Sequence, residues 1–159
     1  MMRSSFGLLA MAALTSGCAL EWDLTEDGTY DGPGVEVQEA HIEGEIGRYA
    51  ADGDAYGFVV RDGDQTTVDV RARDAGVVMA YFDIDQDLED LEVGEVLRID
   101  EGDFIGCAGP WDEMWIKERT ARSFTVVVAR TDEVSVTVDF NARFKDTEFL
   151  GGSFVVPLD

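Results

Sequence analysis

The chain has 159 residues with 34 Asp or Glu against 12 Lys or Arg, a formal net charge of −22, and hydrophobic residues make up 45% of it. This composition excludes a disordered acidic tail and suits one folded domain, while the negative charge repels nucleic acid and anionic bilayers. One histidine and two cysteines leave little material for histidine-based catalysis or a Cys/His zinc cluster.

The first 17 residues contain the parts of a secretory signal. Arg3 is the only charge before Glu21, a run without polar side chains extends from Phe6 to Leu14, and small residues precede Cys18. The run is too short to span about 30 Å of hydrocarbon, which takes about 20 apolar residues in a helix. We therefore predict that residues 1–17 are a signal peptide and that the chain is exported.

Gly17-Cys18, preceded by Ser16, resembles the lipobox of bacterial lipoproteins, although Thr15 stands where that family usually has leucine. The resemblance implies that Cys18 is thioether-linked to a diacylglyceryl group, becomes the N-terminus after cleavage and is then N-acylated. Each buried methylene contributes about 0.8 kcal/mol, and lasting attachment takes more than one chain. The residue after the cysteine is Ala19 rather than aspartate, and in bacterial lipoproteins this tends to direct the protein to the outer membrane. The resemblance therefore implies an outer-membrane lipoprotein.

The alternative for the two cysteines is an ordinary cleaved signal, with Cys18 in a disulfide to Cys107. If Cys18 carries lipid instead, we expect Cys107 to be a buried and inert thiol, because residues 104–108 are apolar or small.

Residues 18–33 are predicted to be a lipidated N-terminus and a tether. The stretch from Ala19 to Pro33 has five acidic residues, two glycines and no sustained period. Fully extended, it could hold a domain about 50 Å from a bilayer.

Residues 34–159 are predicted to form a single domain, because the size of the chain suits one domain. From Val35 onward, hydrophobic and polar residues alternate with the period of two that is typical of strands. In residues 68–73 this alternation indicates one buried face and one wet face, the wet one comprising Asp69, Arg71 and Arg73. Residues 77–84 are apolar on both faces, which indicates a central strand. The other predicted strands lie at residues 35–46 (with a bulge or turn near Glu39), 56–60, 96–99, 104–107, 123–130, 134–144 and 151–156.

Turn signals every 8–12 residues between these runs favour an all-β, antiparallel β-sandwich, with a small β-barrel as the alternative. The segment from Val136 to Val156 is similar to the end of small secreted β-sandwich lipoproteins of unknown function. Residues 110–119 are predicted as strand or irregular structure, with a helix whose first turn begins at Pro110 as the alternative. Asp52-Gly53-Asp54 and Asp62-Gly63-Asp64 are predicted as turns in preference to ligand pairs.

The densest carboxylate run is the weak candidate for a calcium site. Asp83, Asp85 and Asp87 would share one face of a continuing strand, but same-face neighbours lie about 6.6 Å apart, too far to close on one ion without curling. In EF-hand numbering from Asp83, Leu88 stands where glycine is required and Gly94 where glutamate is required. A solvated acidic loop is therefore favoured, and no cofactor is predicted.

Trp111, Trp115 and Arg119 form a candidate patch for a protein or glycan partner, since tryptophan and arginine are enriched at binding hot spots. The favoured alternative is that a tryptophan fills the core and the basic residues pair with nearby acids.

None of the motifs G-x-S-x-G, H-E-x-x-H, the P-loop and G-x-G-x-x-G occurs in the chain. His41 alternates with Ile42, which predicts an imidazole that faces solvent. The expectation is an envelope protein attached to the membrane through its lipid, with a non-enzymatic role in binding, adhesion or structure. The alternatives are a small carboxylate-dependent hydrolase and a calcium-stabilised extracellular module.

Overall fold

The computed structural model describes residues 34–62, 65–72, 77–86, 88, 90–110 and 117–158. Within these ranges the chain is almost entirely strand and contains no α-helix, so the predicted all-β class is confirmed. No helix in the described part is long and apolar enough to cross a membrane. The strands are β1 Val35–Glu36, β2 Gln38–Ile46, β3 Tyr49–Asp62, β4 Gln65–Ala72, β5 Val77–Ile84, β6 Ile105–Gly109, β7 Lys117–Thr120, β8 Ser123–Thr131, β9 Ser135–Arg143 and β10 Phe149–Pro157, with a 3-10 turn at Lys145–Thr147.

The strands form one antiparallel sheet in the order β7-β6-β5-β4-β3-β2-β10-β9-β8, and β1 pairs separately with β3. This sheet curls into a half-barrel. Strand β3 joins its two halves, because residues 49–54 pair with β2 and residues 55–62 pair with β4. The facing layers expected of a sandwich are thus two halves of a single curled sheet.

The core lies between these halves. Phe82 on β5 stacks on Phe104 with ring centroids 4.8 Å apart, and Phe82 also packs against Phe140 on β9 and Phe154 on β10. All four rings are buried. Burial of apolar surface is the main force that favours folding, so these aromatic contacts hold the two halves of the curled sheet together.

The bulge predicted near Glu39 is confirmed. Ser153 on β10 pairs with His41, whereas Val155 pairs with Gln38, so β2 contains one extra residue at this point. Glu39 has a φ of 45°, in the left-handed region that few side chains adopt.

The segment between β5 and β6 crosses to the outer edge of β8. The amide of Leu97 donates to the carbonyl of Val126, and the amide of Val128 donates to the carbonyl of Glu95. The strand predicted at residues 96–99 is therefore only a single bridge, between Val96 and Val127. This crossing covers part of an edge that would otherwise expose unpaired backbone groups.

The prediction of a turn at Asp52-Gly53-Asp54 is wrong, because these residues lie inside β3. The hairpin between β2 and β3 turns instead at Gly47-Arg48, which connects the paired residues Ile46 and Tyr49. Gly47 has a φ of 64°, and a glycine with positive φ at the first central position is typical of a type II′ hairpin turn.

Candidate functional site

The hairpin of β2 and β3 places the chain's only histidine beside two carboxylates. His41 and Glu43 share the outer face of β2, since Ile42 between them is fully buried. Glu43 pairs directly with Asp52 on β3. The imidazole Nε2 of His41 lies 3.9 Å from Asp52 Oδ1, and one donor atom from each of the three residues lies within 4.8 Å of the others.

These three side chains are accessible to solvent. The side chain of His41 is 44% exposed, as its alternation with Ile42 predicted, and that of Asp52 is 87% exposed. Next to them lies an open depression of about 400 Å³, lined by Glu39, Ala40, His41, Asp54 and Ala55. The arrangement offers one nitrogen and two carboxylate donors at the rim of a shallow site.

A second group of acids forms where β5 ends. Asp83 accepts a hydrogen bond of 2.6 Å from Thr67 Oγ1, and Asp85 follows it as an exposed residue. The pKa of Asp103 is raised above its usual value, first by desolvation and then by the negative charges of Asp83, Asp100 and Asp85. These carboxylates thus come from two segments of the chain, and they repel one another.

Two of the three calcium candidates therefore join this acidic group. Asp83 lies on the same face of β5 as Tyr81, but β5 ends at Ile84, so the strand does not continue to Asp85, and Asp87 lies outside the described residues. The pKa of Tyr81 is also raised, by burial first and by the charge of Asp83 next. Asp83 is thus near enough to influence both a phenol and a carboxyl group.

The expectation of a wet face on β4 is wrong at Asp69. Its side chain points away from the main core, but it is fully buried between its register partners, Phe58 on β3 and Tyr81 on β5. Arg71 compensates the buried carboxylate by an ion pair of 2.6 Å. Alternation gave the direction of Asp69 correctly and its accessibility incorrectly.

The candidate partner patch is divided between described and undescribed residues. Trp111 and Trp115 lie outside the described residues. Arg119 on β7 donates from Nε to Glu148 Oε2 at 2.8 Å, and Glu148 Oε1 accepts the backbone amide of Gly47 at 2.8 Å. This ion pair between Arg119 and Glu148 agrees with the favoured alternative, in which the basic residues pair with nearby acids.

Cys107 lies on β6 opposite Met79 on β5, and both are buried. The expected burial of Cys107 is confirmed, but the sulfur is disulfide-bonded rather than a free thiol. The chain's other cysteine, Cys18, lies outside the described residues.

Sequence reasoning missed Glu43 and Asp52 as companions of His41. A hairpin that turns at Gly47-Arg48 brings Glu43 opposite Asp52. A turn predicted at Gly47-Arg48 would therefore have placed both carboxylates beside His41.

No protein-family model matches the chain, and no curated protein or solved structure shows significant similarity to it.

Proposed function

We propose that the protein is exported to the cell envelope and works there as a non-enzymatic binding, adhesion or structural domain held at the outer membrane by lipid on Cys18. The observation that carries this proposal is the N-terminal sequence: Arg3, the apolar run from Phe6 to Leu14, and Gly17-Cys18. The lipid provides the contact with the membrane, and the β domain provides the contact with a protein or glycan partner.

The negative charge of the chain supports attachment to the membrane through lipid rather than through the surface of the β domain. A chain with a net charge of −22 is repelled by anionic headgroups, so electrostatic adsorption would not keep it on a bilayer. Acyl chains attach through burial of methylenes and are indifferent to that charge. An acidic domain on a lipidated tether would thus stand away from the surface and remain accessible to partners.

The disulfide at Cys107 supports the alternative to lipidation, in which Cys18 is bonded to Cys107. A Cys18 sulfur that is bonded to Cys107 cannot also form a thioether to a diacylglyceryl group. The two states differ in mass and in partitioning, which makes the proposal directly testable.

The test compares intact mass and detergent partitioning of the full-length gene product, expressed in a bacterium that processes lipoproteins. The native protein is expected to gain the mass of a diacylglyceryl group and an acyl chain and to enter the detergent phase. Cys18→Ala is expected to stay in water with unmodified mass. Cys107→Ala is the matched control and is expected to partition like the native protein. A native protein in the aqueous phase, two hydrogens lighter than its reduced form, would overturn the anchor.

A calcium-stabilised module is the second candidate function, and the raised pKa of Asp103 beside Asp83, Asp85 and Asp100 is the observation that favours it. Carboxylate oxygens are the ligands that Ca²⁺ prefers, and a cation would relieve the repulsion among them. Thermal unfolding in CaCl₂ and in NaCl at matched ionic strength tests this function. A gain in Tm with calcium alone supports it, whereas equal gains contradict it.

The hydrolase alternative requires two carboxylates with separate roles, one of them with a raised pKa. Desolvation and the charges of Asp83, Asp100 and Asp85 raise the pKa of Asp103, which makes this carboxyl the residue to test. The test is a panel of chromogenic glycosides and esters. If the native protein hydrolyses one of them and Asp103→Asn does not, an enzymatic function replaces the non-enzymatic proposal.

A further inference from the structure

We propose that His41, Glu43 and Asp52 form a binding site for a divalent transition metal ion of the zinc type. The proposal concerns the outer face of the β2–β3 hairpin and does not depend on whether Cys18 carries lipid.

The hairpin register is what brings the three donors together. Glu43 lies directly opposite Asp52, and His41 lies two positions before Glu43 on the same face. Diagonal neighbours on adjacent strands are about 7–8 Å apart, within reach of long side chains. The side chains of His41 and Asp52 bridge this gap to 3.9 Å.

The distances fit one ion after rotation of the side chains. With metal–ligand bonds of about 2.0–2.2 Å, two donors on a tetrahedral zinc ion lie about 3.3–3.6 Å apart. The distance of 3.9 Å between His41 Nε2 and Asp52 Oδ1 is a few tenths of an ångström longer than this, and the three donor atoms all lie within 4.8 Å of one another. Because Glu43 and Asp52 are exposed, rotation about their side-chain bonds closes the difference without moving the backbone.

Electrostatics favour a cation at this position. Like charges directly opposite each other on paired strands are destabilising, and Glu43 and Asp52 are such a pair. Asp54 is paired with His41, and Glu39 lines the adjoining depression together with both. A divalent ion between Glu43 and Asp52 would replace their repulsion by two attractions.

The donor types select the class of metal. Imidazole nitrogen suits zinc, copper and nickel, whereas calcium prefers six to eight oxygens. Three protein ligands leave at least one position of a tetrahedral ion for water or for a donor from a partner. The open depression beside His41 gives such a donor access to the ion.

The experiment titrates the purified full-length protein with ZnCl₂ in buffered NaCl containing excess MgCl₂, which occupies carboxylates that bind divalent ions without selectivity. Binding is followed by calorimetry and by the proton NMR signals of the imidazole, which report on His41 alone because the chain has one histidine. The expected result is saturation at one equivalent of Zn²⁺, with a shift of the imidazole signals.

Variants identify the ligands. Loss of an outer-shell partner alone weakens metal binding by about 10- to 100-fold, so His41→Gln, Glu43→Gln and Asp52→Asn are each expected to weaken Zn²⁺ binding by at least about tenfold. Glu45→Gln is the matched control, because Glu45 is an exposed residue on the same face of β2 outside the group. Its affinity for Zn²⁺ is expected to stay at the native value.

Three results would overturn the proposal. The imidazole signals could remain unchanged at saturating Zn²⁺, or His41→Gln could bind as tightly as the native protein. An equal loss in Glu45→Gln and Glu43→Gln would show that Zn²⁺ binds only through the general negative charge of the face.

Discussion

Arg71 and Asp69, two residues apart on β4, form a two-point ion pair on the outer face of the half-barrel. Arg71 Nε donates to Asp69 Oδ1 at 2.9 Å and Nη2 donates to Oδ2 at 2.6 Å. Burial by itself would lower the pKa of Arg71, but the hydrogen bond and charge of Asp69 outweigh it, aided by Tyr56, and the pKa is raised. The guanidinium therefore stays charged while its partner is removed from water.

Removing the carboxylate should strongly destabilise the fold. Asp69→Asn leaves the Arg71 charge largely buried, with a side-chain exposure of only 13% and no counter-charge from Asp69. Breaking a buried pair in this way costs about 3–5 kcal/mol of unfolding free energy. Urea unfolding measures this loss. The double variant Asp69→Leu/Arg71→Met should lose less than Asp69→Asn, because it leaves no buried charge. A midpoint for Asp69→Asn equal to the native one would contradict a desolvated pair.

Replacing Asp103 should stabilise the protein at neutral pH. Desolvation and the charges of Asp83, Asp100 and Asp85 raise the pKa of Asp103 in the folded state. A raised carboxyl pKa contributes stability that is full below the unfolded pKa, about 3.9, and is lost as pH rises through the folded value. At pH 7 the native protein has lost that contribution, and Asp103→Asn removes the unfavourable charge.

Thermal unfolding across pH checks this prediction. Asp103→Asn should raise Tm at pH 7, and the gain should disappear in acid, where the native carboxyl is protonated. Asp139→Asn, which removes a charge from the exposed face of β9 in the other half of the sheet, is the control for net charge. If both variants raised Tm equally, the effect would reflect total charge and not the group around Asp103.

Sequence patterning could predict the strands and the directions of their side chains, because alternation follows directly from the pleat. The bulge at Glu39 was predictable for the same reason, since the apolar parity changes there. The accessibility of the side chains was not predictable, as Asp69 shows. Alternation assigns the Asp69 side chain to the outer face but contains no information about the neighbours that bury it. That information depends on register with β3 and β5, which lie elsewhere in the chain.

The two candidate sites were harder to predict, because each is formed by segments that the sheet brings together from separate parts of the chain. Asp52-Gly53-Asp54 has the composition of a turn, yet the chain turns at Gly47-Arg48 and uses these residues to continue β3. The acidic group joins the end of β5 to residues 100–103 across a long connection. Composition identified the carboxylates, whereas their grouping required the sheet order.

Truncating Glu148 should loosen the end of the half-barrel where β7 meets the β2–β3 turn. The Glu148 side chain is only 11% exposed, and its two oxygens accept from Gly47 and Arg119. Glu148→Ala would leave the Gly47 amide without this acceptor, which typically costs about 1–3 kcal/mol. Arg119→Ala should cost less, because its side chain is 34% exposed and the ion pair is partly screened. Urea unfolding of the two variants compares them, and a larger loss for Arg119→Ala would contradict this ranking.

Two glycines of the same hairpin should respond oppositely to alanine. Gly44 has a φ of 138°, and an added Cβ would overlap the backbone of Phe149 and Leu150 on β10. Gly44→Ala should therefore lose about 1–3 kcal/mol from overpacking, with backbone strain in addition.

Gly53 on β3 is the matched comparison, because no atom lies within 4 Å of the Cβ that it would gain. Gly53→Ala should gain about 0.5–1 kcal/mol, since glycine within a strand loses more conformational entropy on folding than alanine. Chemical unfolding measures both effects. The Gly53 variant should also keep Zn²⁺ binding, because its neighbour Asp52 keeps its place opposite Glu43. A stable Gly44→Ala protein would mean that β2 and β10 do not approach as closely as this register requires.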